Sequence, residues 1–150
     1  MSYSNVPIFT QAIKTASASL SAASAWTPAV NSTTNLVALV TGGTNGSRVT
    51  SIILATTDTA ANNVFLVLDP GGAGTALAIL GQVNVPLQSG TTASVLAVDA
   101  LSSTVTGGLP VDNNGKRFIH LAATYKLYIS VVGAMTAGKV LFAAAQYENY

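Results

Sequence analysis

Cysteine is absent from the 150 residues, which removes disulfides, thiolate metal sites and cysteine nucleophiles together. Charge is nearly absent too. Only 7% of residues are Asp, Glu, Lys or Arg, against about 25% in an average soluble domain. Six basic and five acidic side chains leave a net charge of +1, which offers nucleic acid no clustered cationic face. Long apolar runs are missing as well. VFLVL (64–68) and LFAAA (141–145) fall far below the ~18 residues of a membrane-spanning helix. The opening MSYSNVPIF has neither the basic stretch nor the apolar core expected of a secretory signal. The shortage of charge also argues against a membrane β-barrel, whose lumen is polar.

What remains is a surface of Ser, Thr, Asn, Gly and Ala. Such a surface repels its own copies weakly, and a net charge near zero favours association. The composition therefore predicts a subunit that works embedded among others, with a Ser/Thr-rich soluble monomer as the alternative. One domain is the natural count, and a chain this long buries roughly 68–70% of its unfolded surface without a metal or disulfide.

Turn residues punctuate the chain from Leu36 onward. The runs LVALVT (36–41), SRVTSIILATT (47–57), NVFLVLD (63–69), TALAILGQVNVP (75–86), RFIHLAA (117–123), YKLYISVV (125–132) and KVLFAAAQYENY (139–150) are separated by Gly, Pro, Asn and Asp clusters. Runs rich in Val, Ile, Leu, Thr and Tyr between such clusters read as strands joined by turns. In 125–132, Tyr125, Leu127, Ile129 and Val131 share one face, and Lys126, Tyr128 and Ser130 share the other. Val64 to Leu68 is apolar on both faces, as in a central strand covered from both sides. The stretch TTASVLAVDALSST (91–104) is the one candidate helix, short and without a clear stripe. About seven or eight strands predict an all-β, single-domain β-sandwich of jelly-roll type over residues 36–150. Residues 1–35, with the near-repetitive ASASLSAASAW (16–26), read as an N-terminal arm or peripheral strand.

LVALVTGGTNGSRVTS (36–51) invites a different reading, because an apolar strand entering a glycine cluster opens many dinucleotide-binding domains. Thr41, Gly42 and Gly46 match the TGxxxGxG loop of short-chain dehydrogenases, which the stretch resembles, but Arg48 stands where the last glycine is needed. The next residues, RVTSIILATTD, are dense in β-branched side chains and hold no helical capping box, whereas the pyrophosphate needs a helix N-terminus. That family's Tyr-x-x-x-Lys pair is missing too. The loop reads as a Gly-rich hairpin turn.

No other catalytic set assembles from the sequence. His120, the single histidine, lies between Ile119 and Leu121 and reads as a partly buried structural imidazole. Asp69-Pro70-Gly71 and Asp112-Asn113-Asn114-Gly115 are turn formers whose carboxylates cap nearby N–H groups. No GxSxG elbow occurs, and five acids make a glycosidase pair improbable. No catalytic, cofactor-binding or metal-ligating residue is assigned, and no cofactor is expected. Ile8, Phe9 and Trp26 in the arm are candidate apolar anchors that order on contact. Tyr147 and Tyr150 are candidate interface residues, since tyrosine suits surfaces apolar at one end and wet at the other.

The stretch LPVDNNGKRFIHLAATYKLYISVV (109–132), followed by TAGKVLFAAAQYENY and preceded by SRVTSIILATTDTAANNVFLVLDPGG (47–72), carries a family resemblance. These segments resemble small jelly-roll structural proteins of tailed bacteriophages, namely capsid decoration (cement) proteins and related head or tail accessory subunits. The resemblance implies a homotrimer seated on the major capsid protein or neighbouring virion subunits, without catalysis, cofactor, nucleic acid or membrane. It places the chain in the virion, assembled in the host cytoplasm. A tail- or fibre-associated module recognising carbohydrate or another tail protein is the alternative.

Overall fold

The computed structural model describes residues 12–101 and 108–150. Ile8 and Phe9 lie outside that range, as do residues 102–104 of the candidate helix. The described residues form nine strands and one 3₁₀ turn, Ala22–Ser24. The strands are β1 (Ala12–Leu20), β2 (Val37–Thr41), β3 (Ser47–Thr56), β4 (Asn62–Asp69), β5 (Ala78–Val85), β6 (Val98–Asp99), β7 (Ile119–Leu121), β8 (Lys126–Val131) and β9 (Leu141–Asn149). The described part of the candidate helix holds the short β6 and an isolated bridge between Thr92 and Val95.

Two antiparallel sheets face each other. The first runs β1–β9–β3–β6, with β7 also paired to β3. The second runs β2–β8–β4–β5. With β6 and β7 taken as two halves of one strand position along β3, this is the order of an eight-stranded jelly roll of two Greek keys. The first and last strands lie side by side, and nearly every connection crosses between sheets. The sandwich expected from strand spacing is the observed architecture.

Alternation decides which side chains fill the space between the sheets. Val49, Ile52 and Leu54 of β3, Val64 and Leu66 of β4, Leu127, Ile129 and Val131 of β8, and Leu141, Ala143 and Ala145 of β9 form one buried cluster. The inward parity of β3 jumps from Val49 to Ile52 because the register with β9 shifts between Val49 and Ser51. A bulge of this kind inserts one residue and restores the core face beyond it.

A second, smaller cluster lies on the opposite face of β4. Trp26, Val67 and Leu77 are buried there, with Leu36, Phe65 and Tyr128 packed against them. This explains why β4 is apolar on both faces. Segment 21–36, which links the sheets, lays Trp26 on that face and holds it in place. Its indole N–H donates to the Ser32 carbonyl at 2.9 Å, and its ring meets Phe65 edge-on at 5.9 Å. Trp26 is 4% exposed, so the expectation that it anchors an arm to another subunit is corrected: the ring is spent inside its own fold. Replacing Trp26 by Ala strips the outer face of β4, and the expected loss is ~3–5 kcal/mol, read from denaturant unfolding monitored by far-UV circular dichroism.

Candidate functional site

The glycine loop joins β2 to β3, strands of different sheets. It is therefore a crossing between layers and not the hairpin that its sequence suggested, because β2 finds its partner in β8 and β3 in β9. The N–H groups of its three glycines are already engaged. Gly42 N–H donates to Tyr125 O at 2.8 Å, Gly43 N–H to Ser47 Oγ at 2.9 Å and Gly46 N–H to Gly43 O at 2.9 Å. Ser47 Oγ in turn donates to Asn149 Oδ1 at 2.7 Å, and Tyr150 N–H donates to Gly46 O at 3.3 Å. A strand, β3, succeeds the loop where a phosphate loop needs a helix. The glycines let main chain approach main chain: a Cβ on Gly42 would sit 2.1 Å from the Ala122 carbonyl oxygen. The loop is a clasp for the end of β9.

The acids serve the fold in the same way. Asp58 is fully buried. Its carboxylate accepts N–H bonds from Thr136 at 3.0 Å and Ala60 at 3.2 Å, and from the Asn62 amide at 3.2 Å. Hydrogen bonding from Thr136, side chain first, holds its pKa well below the usual carboxylate range despite the opposing effect of burial. Asp69 is also buried, and both its oxygens accept from Gly74 N–H. Asp99 accepts from Leu101 N–H. Asp112 accepts from the N–H groups of Lys116 and Asn114, each at 2.9 Å, and these together with the nearby Arg48 and Lys116 charges lower its pKa. The turn-capping role predicted for Asp69 and Asp112 is what these distances describe.

Arg48 pairs with Asp112 at 3.3 Å and lies over the Phe118 ring, 4.3 Å from its centroid. Both partners are partly exposed, so the pair contributes little to stability. His120 differs from expectation. It is exposed on the outward side of the three-residue β7 while Ile119 and Leu121 take the inward positions. Its ring stacks on Tyr150 at 5.4 Å. Among the described residues, no three His, Asp or Glu side chains gather where they could hold a metal ion.

The outer face of the β1–β9–β3 sheet is the most distinctive surface. The registers place Ser19, Phe142 and Ala55 in one row, Ser17, Ala144 and Ile53 in the next, and Thr15, Gln146 and Ser51 in the third. No side chain in these rows is charged. Phe142 is 48% exposed and Ile53 38%, and they flank a shallow groove of ≈ 370 Å³ floored by small residues. Charge returns in the fourth row, with Glu148 between Ile13 and Arg48. The candidate interface tyrosines lie at this charged end. Tyr147 is half-buried and packs against the main core, and Tyr150 is half-buried against His120. Sequence reasoning missed Phe142 and Ile53, although the run LFAAA held the signal: its alternation leaves a large ring on the face opposite Leu141 and Ala143.

No protein-family model matches the chain, and no curated protein is similar to it in sequence. Among solved structures, a chain described as "Cyanophage Pam1 capsid asymmetric unit" is similar to it with a TM-score of 0.46 and 11% sequence identity. The match covers 100% of this chain and 94% of that one. A likeness of that size assigns no function.

Two substitutions test the site. Gly42→Ala forces Cβ against main-chain oxygen and is expected to lower stability by about 1–3 kcal/mol, measured by urea unfolding. Asp58→Asn is expected to weaken acid sensitivity. A carboxylate whose folded pKa is depressed adds stability above the unfolded pKa and loses it as pH falls toward the folded one. The native thermal midpoint should therefore drop between about pH 5 and pH 2 more steeply than that of the variant.

Proposed function

We propose that this chain is a non-enzymatic structural subunit of a virion, a capsid decoration (cement) protein that binds the head lattice through broad surface contact. The observation that carries the reading is the uncharged outer face of the β1–β9–β3 sheet, where Phe142 and Ile53 stand out among Ser, Ala and Thr. Such a face has no ion to strip of water, and its hydroxyls and the Gln146 amide can exchange water for hydrogen bonds to a partner surface. Repetition over a lattice converts modest single contacts into lasting attachment. The jelly roll suits this role, as it does capsid and lectin domains, yet the fold alone assigns none.

The chemistry of the acids supports the same reading: Asp58, Asp69, Asp99 and Asp112 each accept main-chain N–H groups that shape their own loops. A carbohydrate-binding module would use exposed rings in a row. Trp26 is inside the fold instead, and Tyr128 is half-buried beside it.

Co-sedimentation with purified phage heads lacking decoration tests the proposal. Native protein is expected to pellet with the shells, and Phe142→Lys is expected to bind at least tenfold more weakly while keeping its circular dichroism spectrum. Equal binding by native and variant protein would remove the outer face from the interface, and no binding by native protein would reject attachment altogether.

A further inference from the structure

A sheet edge presents unpaired main-chain N–H and C=O groups, and most proteins keep such edges short, bulged or charged. Three edges of this sandwich obey that rule. β6 has two residues, β2 has five with a register shift between Ala38 and Val40, and β5 pairs with β4 across a shift between Leu66 and Val67. The fourth edge does not. β1 runs nine residues, and its register with β9 is unbroken from Ala12 to Leu20. It has no Pro and no Gly, and Lys14 is its one charge. Among the described residues, β1 exchanges main-chain hydrogen bonds with β9 alone. Ile13, Lys14, Thr15, Ser17 and Ser19 are all exposed.

We infer that β1 is an intersubunit edge, pairing antiparallel across a two-fold axis with β1 of a second copy of this chain. The inference rests on the proposed structural role and specifies one contact of that assembly. A second copy fits this edge because AIKTASASL carries small side chains at its centre and its one charge away from it. The register that uses all nine residues places Ala16 on the axis, so that Thr15 faces Ser17 of the second copy and Ile13 faces Ser19. Odd positions then meet odd positions, so the outer face continues without a change of side. The Thr15 and Ser17 rows meet uncharged rows, and the Phe142 row runs into the second copy's Ile13–Glu148–Arg48 row. Ala, Ser and Thr at every central pair allow close approach. Lys14 faces Ala18 of the second copy, and the two Lys14 residues stand four positions apart, about 14 Å along the strands. That exceeds the ~8 Å Debye length at physiological salt, so the sole charge does not oppose pairing. Main-chain bonds supply affinity in this mode and the alternate side chains supply register. A joined sheet runs β6–β3–β9–β1 into the second copy's β1–β9–β3–β6. The edge favours a two-fold contact in place of the three-fold one that the family resemblance implied.

The cysteine-free chain gives a clean test. Full-length Thr15→Cys and Ser17→Cys chains are mixed, oxidised and run on a non-reducing gel. Residues directly opposite lie about 4.5–5.5 Å apart between Cα atoms, within disulfide reach. The mixture should crosslink, and each variant alone, with its thiols offset diagonally by about 7–8 Å, should crosslink far less. In parallel, sedimentation equilibrium compares native protein with the T15K/S17K double variant, which sets like charges opposite each other at two exposed positions. The native chain should dimerise, and the double variant should need a more than tenfold higher concentration to do so, with its fold retained. An oligomer indifferent to the double variant, with no selective crosslink, overturns the edge pairing and leaves the structural role standing. A native monomer at all concentrations that still binds heads does the same, whereas a monomer that binds no heads rejects both.

Discussion

The pairing of β9 on both its edges is the constraint on which the rest of the sandwich depends. All nine of its residues pair with β1, and the same strand pairs with β3 over nine positions. The chain's last strand thereby joins its first to its third, which closes the jelly roll and fixes the facing sheet. Each ladder bond contributes about 1 kcal/mol net. Leu141, Ala143 and Ala145, all buried, add apolar burial to the two ladders. Small residues at the last two positions let the layers approach. The Gly43–Ser47–Asn149 bonds and the Tyr150-to-Gly46 bond then hold the end of this strand in register.

Scarcity of charge shapes the surface, and most of the few charges present are already committed. Asp58 ties the β3–β4 connection to Thr136, Asp69 shapes the loop after β4, and Lys126 donates from Nζ to the Gly72 carbonyl at 3.0 Å. Arg48 and Asp112 close the turn beside β7. A protein that uses its ions to fasten its own loops has few left to keep neighbours away. The neutral outer face and the unguarded β1 edge are two results of that one allocation. Both suit contact with other protein surfaces, for which a dense coat of ions would be an obstacle.

Much of this architecture was legible in local pattern. The seven runs read as strands correspond to β2, β3, β4, β5, β7, β8 and β9, because β-branched and aromatic residues between Gly and Asp-Pro turns carry strong signals. The capping roles of Asp69 and Asp112 were legible for a similar reason: their donors lie within five residues. β1 was legible only as an arm or peripheral strand somewhere in residues 1–35, since ASASL carries no decisive propensity; its range and partner come from the ladder that β9 offers. His120 was expected to be partly buried, yet the register of β7 gives the inward positions to Ile119 and Leu121.

By itself the sequence determined the fold class, the strand spacing, the near-neutral surface and the failure of the glycine cluster as a phosphate loop. Each of these comes from composition, alternation or turn chemistry within a dozen residues. Tertiary structure alone decided that the loop crosses between sheets, that Trp26 covers the outer face of β4, and that Phe142 and Ile53 share one exposed face. Those outcomes depend on which distant strands pair and in what register. A shift of one residue would reverse every side chain, and no local preference records that choice.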